Sequence, residues 1–274
     1  MEVGTAGRGR RPGAVHPPTI GKPGVRETGS CIATGAEWTT YTTPGAMLRV
    51  LRGRTSDRRL RLFACACCRR VWPLLLDFRS RQAIETAESY ADGLASEDAR
   101  EAAHSRARIA RDAVRERQRD ASAGEASALY AAAGAAAMVV AGTTYFPHLA
   151  SGDAFDVFEV VSANVAFAMT KARSPDGPGP DAIRSEELRA HCHLLRDIFG
   201  DAFRSAGRDR DWQTQDVAQL ARYIYEESAF EFLSMLGDAL EKAGCTDGDV
   251  LSHCREPGQH VKGCWVIDLL LGQG

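Results

Sequence analysis

Apolar residues recur at helical spacing along most of the chain. Leu60, Phe63, Ala64, Cys67, Val71 and Leu74 step by three and four, as a stripe on one helix face requires. Ser56 stands where an N-cap would, and Pro73 should end or kink the helix near Trp72. Met47, Leu48 and Leu51 form a shorter face entered through Thr43-Pro44, and Ala83, Ile84, Ala87 and Tyr90 give the next, stopped by Gly93. Ser96 opens a helix through Arg119 whose stripe, Ala99, Ala103, Ala107, Ala110 and Val114, is thin. Seven arginines and six acids between residues 97 and 120 mark it as a surface helix.

From Ala126 to Gly152 no residue carries a formal charge. The length would allow a membrane span, but alanine gains little by transfer to lipid, so a buried central helix from Gly124 to about Ala141 is expected. Phe155, Phe158, Val161, Val165 and Met169 continue the helical pattern. The run Ser174-Pro175-Asp176-Gly177-Pro178-Gly179-Pro180 breaks it. Beyond the break, Leu188, Cys192, Leu195, Ile198 and Phe199 face inward. Thr214 caps a helix to Glu227, and Ser228 with Glu231 matches a capping box for a helix ending at Gly244. Two short helices, 247–254 and 264–271, close the chain.

The pattern predicts an all-α protein, an irregular bundle of about nine helices. Residues 1–35 are rich in Gly, Pro, Arg and Thr without period and are expected to be a disordered extension. Two lobes, 36–173 and 181–274, are expected to share one core and to hinge at 174–180.

Composition changes this picture little. The 274 residues are 44% hydrophobic and 26% charged with formal net charge −2, which supports a sizeable core and gives no long-range pull toward nucleic acid or anionic lipid. Eight cysteines without a signal-peptide pattern point to reduced thiols in a cytoplasmic protein. Cys65, Cys67 and Cys68 crowd one helix, where buried thiols acting as small hydrophobes are the simplest reading.

Candidate chemistry is sparse. GxSxG, HExxH and GxxxxGK[ST] patterns are absent, so no catalytic residue is assigned. Cys245, Cys254, His260 and Cys264, separated by eight, five and three residues, could form a Cys₃His zinc site. Packing of those cysteines in short helices is the competing reading. Arg58, Arg61, Arg69 and Arg70 could form a basic face for nucleic acid, although Asp57 and Asp77 flank it. His191 and His193, two apart, cannot reach one ion from a regular helix. The leading expectation is a non-enzymatic cytoplasmic module, without cofactor, metal site or membrane association, that binds another protein or itself. Zinc binding and nucleic-acid binding are the two rivals.

The segments Leu60–Trp72 (LRLFACACCRRVW), Leu194–Gly200 (LLRDIFG) and Ala243–Leu271, with His253-Cys254-Arg255 and Gly263-Cys264-Trp265-Val266-Ile267-Asp268, resemble an uncharacterised family found in many copies in planctomycete-type bacteria. The likeness runs over roughly residues 36–272. It implies a bacterial domain beginning near Glu37-Trp38, with residues 1–35 as an upstream extension, and it implies no activity.

Overall fold

A computed structural model describes residues 35–117, 123–141, 154–173, 178–200 and 212–273. Residues 1–34 of the expected extension 1–35, and 174–177 of the proposed hinge 174–180, lie outside the described residues, while Gly35 opens the first helix. So do His16, Cys31 and His148.

The fold is all-α. The described residues hold twelve α-helices and no strand: α1 (Gly35–Thr40), α2 (Pro44–Leu51), α3 (Asp57–Arg70), α4 (Phe78–Ala91), α5 (Glu97–Arg117), α6 (Ala123–Val140), α7 (Ala154–Ala172), α8 (Pro180–Phe199), α9 (Gln215–Glu227), α10 (Leu233–Lys242), α11 (Gly248–Arg255) and α12 (Trp265–Leu271). The count exceeds the nine expected; α1, six residues long, is too short for a periodic signal.

Helix α3 is the centre of a first core. Every residue from Leu60 to Cys68 is buried, so the helix is enclosed on all sides rather than along one stripe. It packs on α4, α6, α7 and α8. Cys65, Cys67 and Cys68 lie within this core with Phe63, Ile84, Val161 and Leu195. The alanines of α6 allow close approach to α5 and α7, and ten of its residues are buried. This helix is long and apolar enough to cross a membrane, yet here it packs among its neighbours.

The four arginines read as a possible basic face are engaged with partners within the chain, although Arg69 stays exposed. Arg61, 6% exposed, donates to the carbonyl of Val139, and Arg100 donates to that of Val140. Two guanidinium groups thus satisfy carbonyls at the C-terminal end of α6, where a helix leaves acceptors open and favours positive charge. Arg69 grips Glu88 through two bonds, and Arg70 grips Glu187 likewise.

A second core gathers α9 to α12 around Ile224, Leu236, Leu240, Val250 and Ile267. Helix α8 belongs with the first core, since Cys192, Leu194, Leu195, Ile198 and Phe199 all pack there. Polar ties join the two cores. Arg58 donates to both oxygens of the fully buried Asp268, at 2.6 and 3.1 Å, while the Tyr225 hydroxyl bonds Asp92 at 2.7 Å.

Several caps depart from expectation. Ser56 and Thr43 occupy N-cap positions without making a side-chain cap bond, whereas Ser96, Thr214 and Asp247 do accept from the first turns they precede. Ser228 opens no capping box. It is the left-handed C-cap of α9 (φ 53°), and a 3₁₀ turn over Phe230–Phe232 intervenes before α10.

Candidate metal centre

The last turn of α8 carries Asp197 between core residues Leu195 and Ile198. Its side chain is only 5% exposed, an expensive place for a carboxylate unless donors surround it. Those donors come from the C-terminal segment.

Asp247 caps helix α11, its carboxylate accepting from the amides of Asp249 and Val250. Consecutive residues near its end point apart by roughly 100°. Cys254 enters the second core against Gly237, where an added Cβ would lie 3.0 Å from the Cys254 Cβ. His253 therefore turns toward α8. The chain then loops through 256–263 and reverses at Gly263, whose φ of +90° and proximity to Leu62 exclude a larger residue. Cys264 follows as the fully buried N-cap of α12.

Four side chains meet as a result. Asp197, His253, His260 and Cys264 each offer one ligand atom, and all four atoms lie within 4.8 Å of one another. His260 Nδ1 is 2.6 Å from Asp197 Oδ1, and His253 Nε2 is 3.2 Å from both Asp197 Oδ1 and Cys264 Sγ. The amide of Val261 donates to Asp197 Oδ2 at 3.0 Å. The imidazoles of His253 and His260 stand edge to face with centroids 4.9 Å apart, and Trp265 lies against His253 at 5.2 Å.

Electrostatics bind the group together. Burial opposes charge on Asp197, but hydrogen bonds from His253 and His260 outweigh it and hold the carboxyl below its ordinary value. Burial likewise opposes charge on His260, yet Asp197 and the Glu256 backbone raise it above an ordinary histidine. Burial, reinforced by Asp197, pushes the Cys264 thiol well up.

A tetrahedral zinc ion, with bonds of about 2.0 Å to N or O and about 2.3 Å to S, needs donors about 3.3–3.6 Å apart. The two His253 separations are already close to that, the 2.6 Å His260–Asp197 pair must open by about 0.7 Å, and no pair need draw in by more than about 1.2 Å. One carboxylate, two imidazoles and one thiol are donors that zinc accepts in four-coordinate sites. Asp197, His253 and His260 also line an open cavity of about 400 Å³ with Arg70, His193 and Arg196. Cys264, fully buried, does not line it.

The Cys₃His set read from spacing does not assemble. His260 and Cys264 join the cluster, while Cys245 and Cys254 stay out of it and pack in the second core. Burial pushes the Cys254 thiol to about 12. His253 and Asp197 take the vacated roles. The His-x₆-His-x₃-Cys spacing is visible in the sequence, whereas Asp197 falls off the apolar stripe of α8 and carries no local signal. Their meeting depends on tertiary packing.

A second polar set lies in the first core. Ser162 Oγ is 2.8 Å from His191 Nδ1, and His191 Nε2 is 3.2 Å from Glu187, which Arg70 holds. The residue types match a hydrolase triad, but the imidazole is inverted: there Nε2 serves the serine and Nδ1 the acid. All three residues are at most 2% exposed, so the set acts as an internal anchor for α7 and α8.

No protein-family model matches the chain, and neither a curated protein nor a solved structure does so.

Proposed function

We propose that this chain is a helical metal-binding protein that holds one zinc-class divalent ion through Asp197, His253, His260 and Cys264. The observation that supports this reading is the convergence of those four donors, from α8, α11, the following loop and the N-cap of α12, within 4.8 Å. Charge agrees: one carboxylate and one thiolate neutralise a dication, and the thiol proton leaves on binding. Four protein donors fill a tetrahedron, so the ion serves structure rather than catalysis. The engagement of Arg58, Arg61, Arg69 and Arg70 with internal partners weighs against nucleic-acid binding. Cobalt substitution tests the reading. Bound cobalt should give a thiolate charge-transfer band that Cys264→Ser abolishes and Cys245→Ser leaves intact; absence of the band from the parent protein contradicts it.

A second reading, compatible with the first, is a module that binds another protein or a second copy of itself. It draws support from an apolar groove of about 820 Å³ lined by Leu74, Leu76, Leu129 and Ile183, with Leu76 70% exposed. Sedimentation over a range of concentrations, with Leu76→Asp as control, tests self-association.

A further inference from the structure

The four donors straddle the boundary between the two cores. Asp197 rises from α8, whose neighbours Leu194, Leu195 and Ile198 are first-core residues. Cys264 is a second-core residue, and His253 lies on α11, whose Val250 and Cys254 are buried there. Polar ties hold the second core at two places of different character. Helices α9 and α12 are tied to α3 and α4 by Tyr225–Asp92 and Asp268–Arg58. The segment 248–264 reaches α8 through Asp197, which receives His253, His260 and the Val261 amide. Gln259 adds one bond to Arg70. Arg255, the last residue of α11, pairs within its own core with Asp238 and Glu241. Apart from the Gln259–Arg70 bond, a single carboxylate thus gathers the polar docking of one helix and one loop.

We propose that metal occupancy regulates this docking: the ion clasps segment 248–264 onto α8, and its removal loosens that segment while α3, α9 and α12 stay in place. The proposal rests on the metal-binding reading above. With the ion bound, opening 248–264 requires breaking bonds from His253, His260 and Cys264 to a metal anchored on Asp197. Without it, the polar hold on α8 reduces to hydrogen bonds that water replaces, leaving the apolar contacts of Val261 and Gly263 with the first core. The two remaining ties, at Arg58 and Tyr225, contain none of the four donors, so they hold in either state.

Amide hydrogen exchange of the full chain, apo and with zinc, resolves the segments, and zinc content is measured on the same samples by elemental mass spectrometry. One zinc per chain should slow exchange in 248–264 by roughly a hundredfold at free zinc near 100 times its Kd. Exchange in 57–70 and 215–227 should not change, and Cys264→Ser should remove the effect. One bound zinc with no slowing, or with equal slowing along the whole chain, overturns the clasp and leaves metal binding standing. Failure to bind zinc overturns both.

Discussion

His260 Nδ1 lies 2.6 Å from Asp197 Oδ1, although 63 residues separate them in the chain. The contact joins a carboxylate buried on one core to an imidazole carried by a loop of the other. Each compensates the other's burial, and the bond exists only when the cores are docked.

Replacing Asp197 should therefore cost more than a surface ion pair would. Asp197→Ala strands two imidazoles and the Val261 amide, and truncating one partner of a buried pair costs roughly 3–5 kcal/mol. Urea unfolding of the metal-free protein measures it. A loss below about 1 kcal/mol would place the cluster among solvent-screened pairs.

Acid should weaken the protein through Glu187. Burial alone raises this carboxyl, but Arg70 and His191 outweigh it and bring it to about 2 from an ordinary 4.5. A depressed carboxyl stabilises the fold above its unfolded value and loses that contribution as protons bind the folded form. The loss should fall between pH 4.5 and about 2. Urea midpoints across that window should fall steeply in the parent protein. They should fall less in Glu187→Gln, which should also start less stable at pH 7. Parallel slopes would show that Glu187 is not a source of the acid sensitivity.

Gly200 ends α8 at φ +59° and ψ −141°, a region open almost only to glycine, and an added Cβ would sit 2.9 Å from Trp265 Cγ. Gly244 has φ +96° but open space around it. Gly200→Ala should thus combine strain and clash, lowering stability by about 2–4 kcal/mol, against about 1 kcal/mol for Gly244→Ala. Equal thermal shifts for the two variants would mean that Trp265 moves aside freely.

The seven thiols from Cys65 to Cys264 are all buried and free of disulfides. Burial raises Cys65, Cys67 and Cys68 well above an ordinary thiol. Since the thiolate is the reactive species, an alkylating reagent should leave all seven unmodified in the native protein with its ion bound and label them on unfolding. Peptide mass spectrometry distinguishes them individually. Rapid native labelling of Cys67 would contradict a closed first core.

Much of the fold was legible because helical periodicity is local. Leu60 to Leu74 and Val217 to Tyr225 announce helices whatever they pack against, and Gly93 and Gly244 end theirs with positive φ. What escaped depends on long-range pairing. Arg61 falls off its apolar stripe, which is also how a solvated residue looks. Only the arrival of the α6 carboxyl end turns it into a buried cap. Ser228 and Glu231 match a capping box, but the backbone spends Ser228 on ending α9. At the candidate site, the terminal segment gave His260 and Cys264. Spacing also offers Cys254 as a donor, because it cannot show that residue 253 turns to α8 while residue 254 turns into the second core. Asp197 lay beyond any local rule, since nothing near it in sequence indicates which loop will cover it.

The central claim is that Asp197, His253, His260 and Cys264 hold one ion. Elemental analysis of protein purified without chelators measures this most directly. One equivalent of zinc per chain is expected, lost on joint replacement of His253 and His260 by alanine and retained when Cys245 and Cys254 are both replaced by alanine. Zinc that survives the histidine changes, or leaves with the Cys245 and Cys254 changes, would contradict the assignment, as would parent protein that stays metal-free in excess zinc.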